Sequence, residues 1–166
     1  MHTNRVFFVG FMGSGKSTVG PLLAKRLAWP FIDLDCLIEE TFGDAIHQIF
    51  KRRGESFFRE METHALKRLE QKAHCVVALG GGTFIKQKNR RLIRKLGLSV
   101  LLNLSLENIL KRCPPDGTRP LFRDRFSVEK LYAARLPIYR MSDFEVDGSL
   151  PPDKIVNTVL ERIKSC

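Results

Sequence analysis

An unbroken apolar run, Arg5 to Gly10 (RVFFVG), passes directly into GFMGSGKST, Gly10 to Thr18, and then into helical spacing at Val19, Leu22, Leu23 and Leu27. No other feature constrains the chain as much. A strand that is apolar on both faces needs cover on both sides. The glycine-rich turn fits G-x-x-x-x-G-K-[ST] and sits where that pattern requires, between a strand and a helix N-terminus. Backbone N–H groups there converge on an anion, and the helix dipole favours negative charge. The spacing therefore assigns Gly13, Ser14, Gly15, Lys16, Ser17 and Thr18 to a nucleotide's phosphates. Lys16 is expected to reach the β- and γ-phosphates, and the Ser17 hydroxyl to ligate Mg2+. Pro21 falls in the first turns of the helix, where it lacks a backbone donor, so a slight bend is expected with the loop intact.

Downstream, WPFID reads as a second short strand, and Leu37 to Phe50 has helical spacing interrupted near Gly43. Ser56 to Lys72 reads as a longer helix, with Phe58, Met61, Ala65, Leu66 and Leu69 at three- and four-residue intervals. HCVVALGGG and SVLLNLS supply third and fourth buried runs. A helix at Leu106 to Arg112 leads into CPPDGTRPLFRDRF, which has no periodicity and is a candidate lid over about 113–125. Helical spacing returns at Val128, Leu131, Ala134 and Leu136, followed by a short FEV strand and a last helix from Pro151 to Lys164. Strands alternating with helices predict a three-layer α/β fold around a parallel sheet. At 166 residues, with no internal repeat or linker, the chain reads as one domain over 1–166.

The formal charge of +10 admits either nucleic acid or small anions as partners. The densest basic stretch, KQKNRRLIRKLG, puts Leu92, Ile93 and Leu96 on one helical stripe and its cations elsewhere, as a solvated helix face does. Aromatic residues are not interleaved with those cations, so no nucleic-acid partner is expected. Cys36, Cys75, Cys113 and Cys166 form no C-x-x-C pair, and the four histidines show no metal-ligand spacing. No apolar stretch is long enough for a spanning helix, and the early first strand leaves no room for a leader, so a cytoplasmic protein is expected.

Two aspartates close the second strand, in PFIDLDC. Asp33, at the strand's carboxyl end, is the better placed to hold the metal, because open parallel sheets bind ligands there. Neither HCVVALGGG nor SVLLNLS supplies such an acid. Asp35, at the start of the next helix, is left to face an acceptor hydroxyl and its proton, unless it merely caps that helix. Arg59 and Glu62 share a helix face, and Glu62 falls within an apolar stripe where an unpaired carboxylate would be costly. Arg59 is its natural partner, either as a structural pair or as a fork presented to a substrate carboxylate. Gly80, Gly81 and Gly82 expose backbone N–H groups at the end of the third strand. Arg119, stiffened by Pro120, could fold over a transferring phosphoryl group, and Arg135 could supply a second fork to an acidic substrate.

In this order and spacing, GSGKST, DLD, GESFFREME, LGGG, TRPLF and ARLPIY resemble shikimate kinase, from Val6 to about Val146. The resemblance implies a P-loop NTPase of the nucleoside-monophosphate-kinase type, with a five-stranded parallel sheet and a lid. It implies phosphorylation of the 3-hydroxyl of shikimate by ATP with Mg2+, on the route to chorismate and the aromatic amino acids. By position, Asp33 matches the metal-associated aspartate and Asp35 the one gripping the shikimate hydroxyls. Arg59 and Arg135 match the carboxylate-binding arginines, and Gly80, Gly81 and Gly82 the triplet lining the substrate. Arg119 matches the lid arginine near the phosphates, and Arg112 an arginine beside adenine. The substrate-binding region would span about 33–62, and the enzyme would act as a monomer. Departures at Pro21, at Phe122 after RPL and in YRMSDFEVD bear on lid packing and the adenine pocket. A kinase of another polyol acid such as gluconate is the nearest alternative. A regulatory GTPase would need N-K-x-D, which is missing from the sequence.

Overall fold

The computed structural model describes residues 4–113 and 124–164. Five strands, β1 (Arg5–Val9), β2 (Phe31–Asp33), β3 (Cys75–Ala78), β4 (Leu98–Asn103) and β5 (Phe144–Asp147), form one parallel sheet in the order β2-β3-β1-β4-β5. Helices intervene: α1 (Lys16–Leu27), α2 (Leu34–Phe42), α3 (Ile46–Arg68), α4 (Gln87–Leu96), α5 (Leu106–Arg112), α6 (Arg125–Tyr139) and α7 (Pro152–Lys164). From β1 the chain builds β2 and β3 on one side and β4 and β5 on the other. The carboxyl end of β1 thus lies at the switch point, where such sheets open a crevice for ligands.

Alternation along the strands divides the core into two faces. Val6 and Phe8 of β1 pack with Val76, Val100 and Leu102 under α1 and α7, through Val19, Leu23, Ile155, Val156 and Val159. Phe7 and Val9 point the other way, to Leu34 and Ile38 of α2, Phe58 and Leu66 of α3, Ile93 of α4, Ile109 of α5, and Val128 and Tyr139 of α6. Phe7 and Phe8 are wholly buried. Each contributes about 2–3 kcal/mol of transfer free energy, enough to hold β1 in place between both layers. Among the described residues no helix is long and apolar enough to cross a membrane.

Three boundaries differ from the sequence reading. The helix expected over Ser56–Lys72 is the distal part of α3, which begins at Ile46, kinks at Gly54 (φ 82°, ψ 168°) and ends at Arg68. A 3₁₀ turn, Leu69–Gln71, completes the segment. Helix α6 runs past Pro137 to Tyr139, although that residue lacks the N–H for a bond back along the helix. The aperiodic stretch also ends earlier than expected, because Asp124 caps α6, accepting from Ser127 N at 2.9 Å, and Arg125 is its first residue. Helix α1 continues through Pro21 to Leu27.

Candidate active site

Gly15 occupies the N-cap of α1 with φ 101°, a left-handed conformation that admits glycine readily and other residues only under strain. Beside it, Thr18 N donates to Gly15 O at 3.0 Å, and Ser14 is buried. The Lys16 ammonium donates to the carbonyls of Gly10 and Phe11, both at 2.8 Å, which fixes it over the loop. The Ser17 hydroxyl donates to Asp33 Oδ2 at 3.0 Å. This brings two hard oxygen donors to one side of the phosphate loop. The pair suits Mg2+, which is usually held by one or two protein oxygens together with phosphate and water. Among the described residues no three His, Cys, Asp or Glu side chains gather into a protein-only cage.

Asp33 and Asp35 diverge because their backbone roles differ. Asp33 ends β2 and caps α2, its Oδ1 accepting from Asp35 N at 3.1 Å and Cys36 N at 3.4 Å while Oδ2 faces Ser17. The capping role considered for Asp35 therefore belongs to Asp33. Asp35, in the first turn of α2, lines the cleft, and its Oδ1 is buried without a hydrogen-bond partner among the described residues. Burial, reinforced by the neighbouring Glu62 and Asp33 carboxylates, pushes its pKa up from 3.8 to about 6. A β-carbon on Gly80 would stand 2.5 Å from that same oxygen, so the first glycine of the triplet makes room for Asp35.

Arg59 faces the same region from α3. Its Nη1 donates to Glu62 Oε2 at 2.9 Å and its Nη2 to Glu55 Oε1 at 2.9 Å. Burial works against the cation, but Glu62 and Glu55 more than offset it and hold the guanidinium pKa upward. A β-carbon on Gly82 would fall 2.1 Å from Arg59 Nη1, so the guanidinium lies directly over that backbone. Arg135 on α6 is buried although charged, and a Gly81 β-carbon would lie 3.4 Å from its Nη1. The Tyr139 hydroxyl, on the same helix, donates to Gly81 O at 2.5 Å. Burial raises the Tyr139 pKa, with Arg135 opposing.

Lys16, Ser17, Asp33, Asp35, Arg59, the glycine triplet, Arg112 and Arg135 all line one cleft of about 740 Å³, as do Gly13, Ser14, Gly15 and Thr18. Arg119 lies outside the described residues. Arg112 Nη2 donates to Gly148 O at 3.2 Å, and Leu150, Pro152 and Ile155 line the same cleft. These four residues were missed in the sequence, although they follow the carboxyl end of β5 and so obey the same strand-end rule. Tyr139 was missed too. Its signal was the four-residue spacing from Arg135 on one helix. Thr83, whose hydroxyl donates to Glu62 Oε1 at 2.5 Å, had no sequence signal, because its partner is twenty-one positions away.

A sequence model of the shikimate kinase family matches residues 12–164. The chain belongs to that family. Its relatives include the shikimate kinase of Persephonella marina, 38% identical over 161 residues covering 96% of this chain and 98% of the relative. That of Geobacter sulfurreducens is 48% identical over 145 residues, 86% of this chain and 80% of the relative. Among solved structures, an Acinetobacter baumannii shikimate kinase in complex with shikimate superposes with TM-score 0.92 at 32% identity, covering 98% of this chain and 94% of that one. The family enzyme of Aquifex aeolicus gives 0.89 at 35%, covering 97% and 96%. A gluconokinase from Sinorhizobium meliloti, at 19% identity and TM-score 0.62, shares the fold alone.

Proposed function

We propose that this member of the shikimate kinase family transfers the γ-phosphoryl group of ATP to the 3-hydroxyl of shikimate. The observation that carries the reading is the unpartnered buried oxygen of Asp35, in a cleft that also presents the phosphate loop, Arg59 and Arg135. A carboxylate without a donor, beside cations suited to a carboxylic acid, is complementary to an acid that also bears hydroxyls. The solved relative described as a complex with shikimate supports the choice of acceptor.

In this reading Arg59 and Arg135 bind the acceptor's carboxylate, and the backbone of Gly80, Gly81 and Gly82 borders its ring. The Asp35 carboxylate accepts the hydrogen bond of the attacking hydroxyl and then its proton, a role favoured by a pKa near 6. Lys16 draws charge from the β- and γ-phosphates, the phosphate loop fixes them in line, and Arg119 meets the transferring group. Arg112, with Gly148, Leu150, Pro152 and Ile155, takes the adenine. Ser17 and Asp33 would hold Mg2+, which when bound neutralises charge across the phosphoryl oxygens. The enzyme acts as a monomer in the cytoplasm, with no nucleic-acid partner.

Purified protein with ATP, assayed for ADP release against shikimate, gluconate and nucleoside monophosphates, should turn over only with shikimate. Faster release with gluconate would overturn the assignment. Asp35→Asn should abolish nearly all turnover while ATP still binds, and Arg59→Ala should mainly raise the KM for shikimate. Unchanged kinetics in either variant would remove that residue from the scheme.

A further inference from the structure

Glu62 is completely buried, and each of its carboxylate oxygens has its own donor: Arg59 Nη1 on Oε2 at 2.9 Å, and the Thr83 hydroxyl on Oε1 at 2.5 Å. We infer that Thr83 is a positioning residue that aims Arg59 at the acceptor's carboxylate by acting through Glu62. The inference rests on the role proposed above for Arg59.

A carboxylate only accepts, and when buried it has to find donors for both oxygens within the protein. Arginine and carboxylate pair most strongly as two parallel bonds, fork against fork. If Oε1 lost its hydroxyl donor, Glu62 would turn to offer both oxygens to Arg59 and draw the guanidinium toward itself. With Thr83 in place Glu62 holds Arg59 through Oε2, so the remaining N–H groups are directed elsewhere. Glu55 takes Nε and part of Nη2 from its exposed side.

Thr83 is itself held on several sides. It opens the 3₁₀ turn Thr83–Ile85 directly after the glycine triplet, with its N–H donating to Gly80 O at 3.1 Å. Its carbonyl accepts from Asn89 Nδ2 at 2.9 Å, and Asn89 Oδ1 accepts from Thr63 Oγ1 at 2.8 Å. The Thr63 hydroxyl also lies 3.1 Å from Arg59 O, which closes the circuit on α3. Thr63, Thr83 and Asn89 are all buried. A β-branched side chain has few χ1 choices, so this frame fixes the hydroxyl's direction. The path from α4 through Thr83 to Glu62 thus consists of buried hydrogen bonds, and its last link, to Arg59, is part-buried.

Thr83→Val keeps the shape and removes the hydroxyl, and Thr83→Ser keeps the hydroxyl. Shikimate Kd by titration calorimetry should rise about tenfold in Thr83→Val, as expected for losing a bond to a charged group, with the shikimate KM rising in parallel. The ATP KM should stay within about twofold and kcat within about threefold, and Thr83→Ser should return shikimate Kd to within about twofold of wild type. A purely structural role would lower Tm without a selective loss of shikimate affinity. If Thr83→Val does not fold, Thr83→Ala makes the same comparison, and failure of both to fold would leave Thr83 purely structural and overturn the inference. Arg59→Ala, measured alongside, separates two failures. If it loses shikimate affinity while the folded Thr83→Val does not, the inference falls and the function stands. If neither loses affinity, the carboxylate pocket falls and the inference with it.

Discussion

Asp35 shows the cost of burying a carboxylate without a donor. Among the described residues its Oδ1 has no donor, and Glu62 and Asp33 add like charge to an already desolvated group. The pKa rises from 3.8 to about 6, so folding favours the protonated form. The stability linked to that proton is fully present below pH 3.8 and is lost as pH rises through about 6. At pH 8 the ionised group therefore lowers the stability of the ligand-free protein by about 1–3 kcal/mol. Asp35→Asn, which has nothing to titrate, should melt higher than wild type at pH 8 without nucleotide or divalent cation. The difference should close toward pH 4. Equal melting temperatures across that range would show that Asp35 carries no such strain. Asp33, two residues earlier, has donors on both oxygens, from backbone N–H groups and the Ser17 hydroxyl.

Helix α3 carries Ile49 and Phe58 into the core while its Arg59 and Glu62 reach the cleft, and Gly54 lets it change direction between the two halves. Periodicity that resumes at Ser56 marks this break in the sequence, but as a boundary rather than a kink. Gly54 at φ 82° and ψ 168° occupies backbone space that is nearly exclusive to glycine, and a β-carbon there would meet nothing within 4 Å. Gly54→Ala should therefore destabilise through backbone strain alone, by about 1–3 kcal/mol in urea unfolding. An unchanged midpoint would mean that the kink relaxes freely. The end of α3 was legible only approximately, because Leu69 keeps the apolar rhythm yet falls in a 3₁₀ turn, where Arg5 Nε donates to its carbonyl at 3.1 Å.

On the scale of the molecule, +10 of formal charge surrounds a cleft whose cations include Lys16, Arg59, Arg112 and Arg135. Both proposed substrates are anions, so the field should speed their approach and weaken as salt screens it. Raising KCl from about 50 to about 500 mM should lower kcat/KM for shikimate and for ATP several-fold while kcat moves less. A flat response would confine the useful charge to the direct contacts. The sheet supports this arrangement by burying β1 on both faces at its centre, so the phosphate loop departs from a strand held on every side.

The order of strands and helices, the phosphate loop and the two aspartates were legible in the sequence because each depends on neighbours within a turn or two: apolar periodicity, a glycine-lysine spacing, an acid at a strand end. Which of Asp33 and Asp35 caps α2 was decided only in three dimensions, when the Asp33 carboxylate found the α2 N-terminus and Ser17 while that of Asp35 was left beside Gly80. Likewise Thr83 reaches the Arg59–Glu62 pair, which shares one helix face in the sequence, only because the turn after β3 is packed against α3. Local patterns set which backbone forms. The direction in which a buried charge points is decided by donors far away along the chain, and only folding brings these within hydrogen-bond reach.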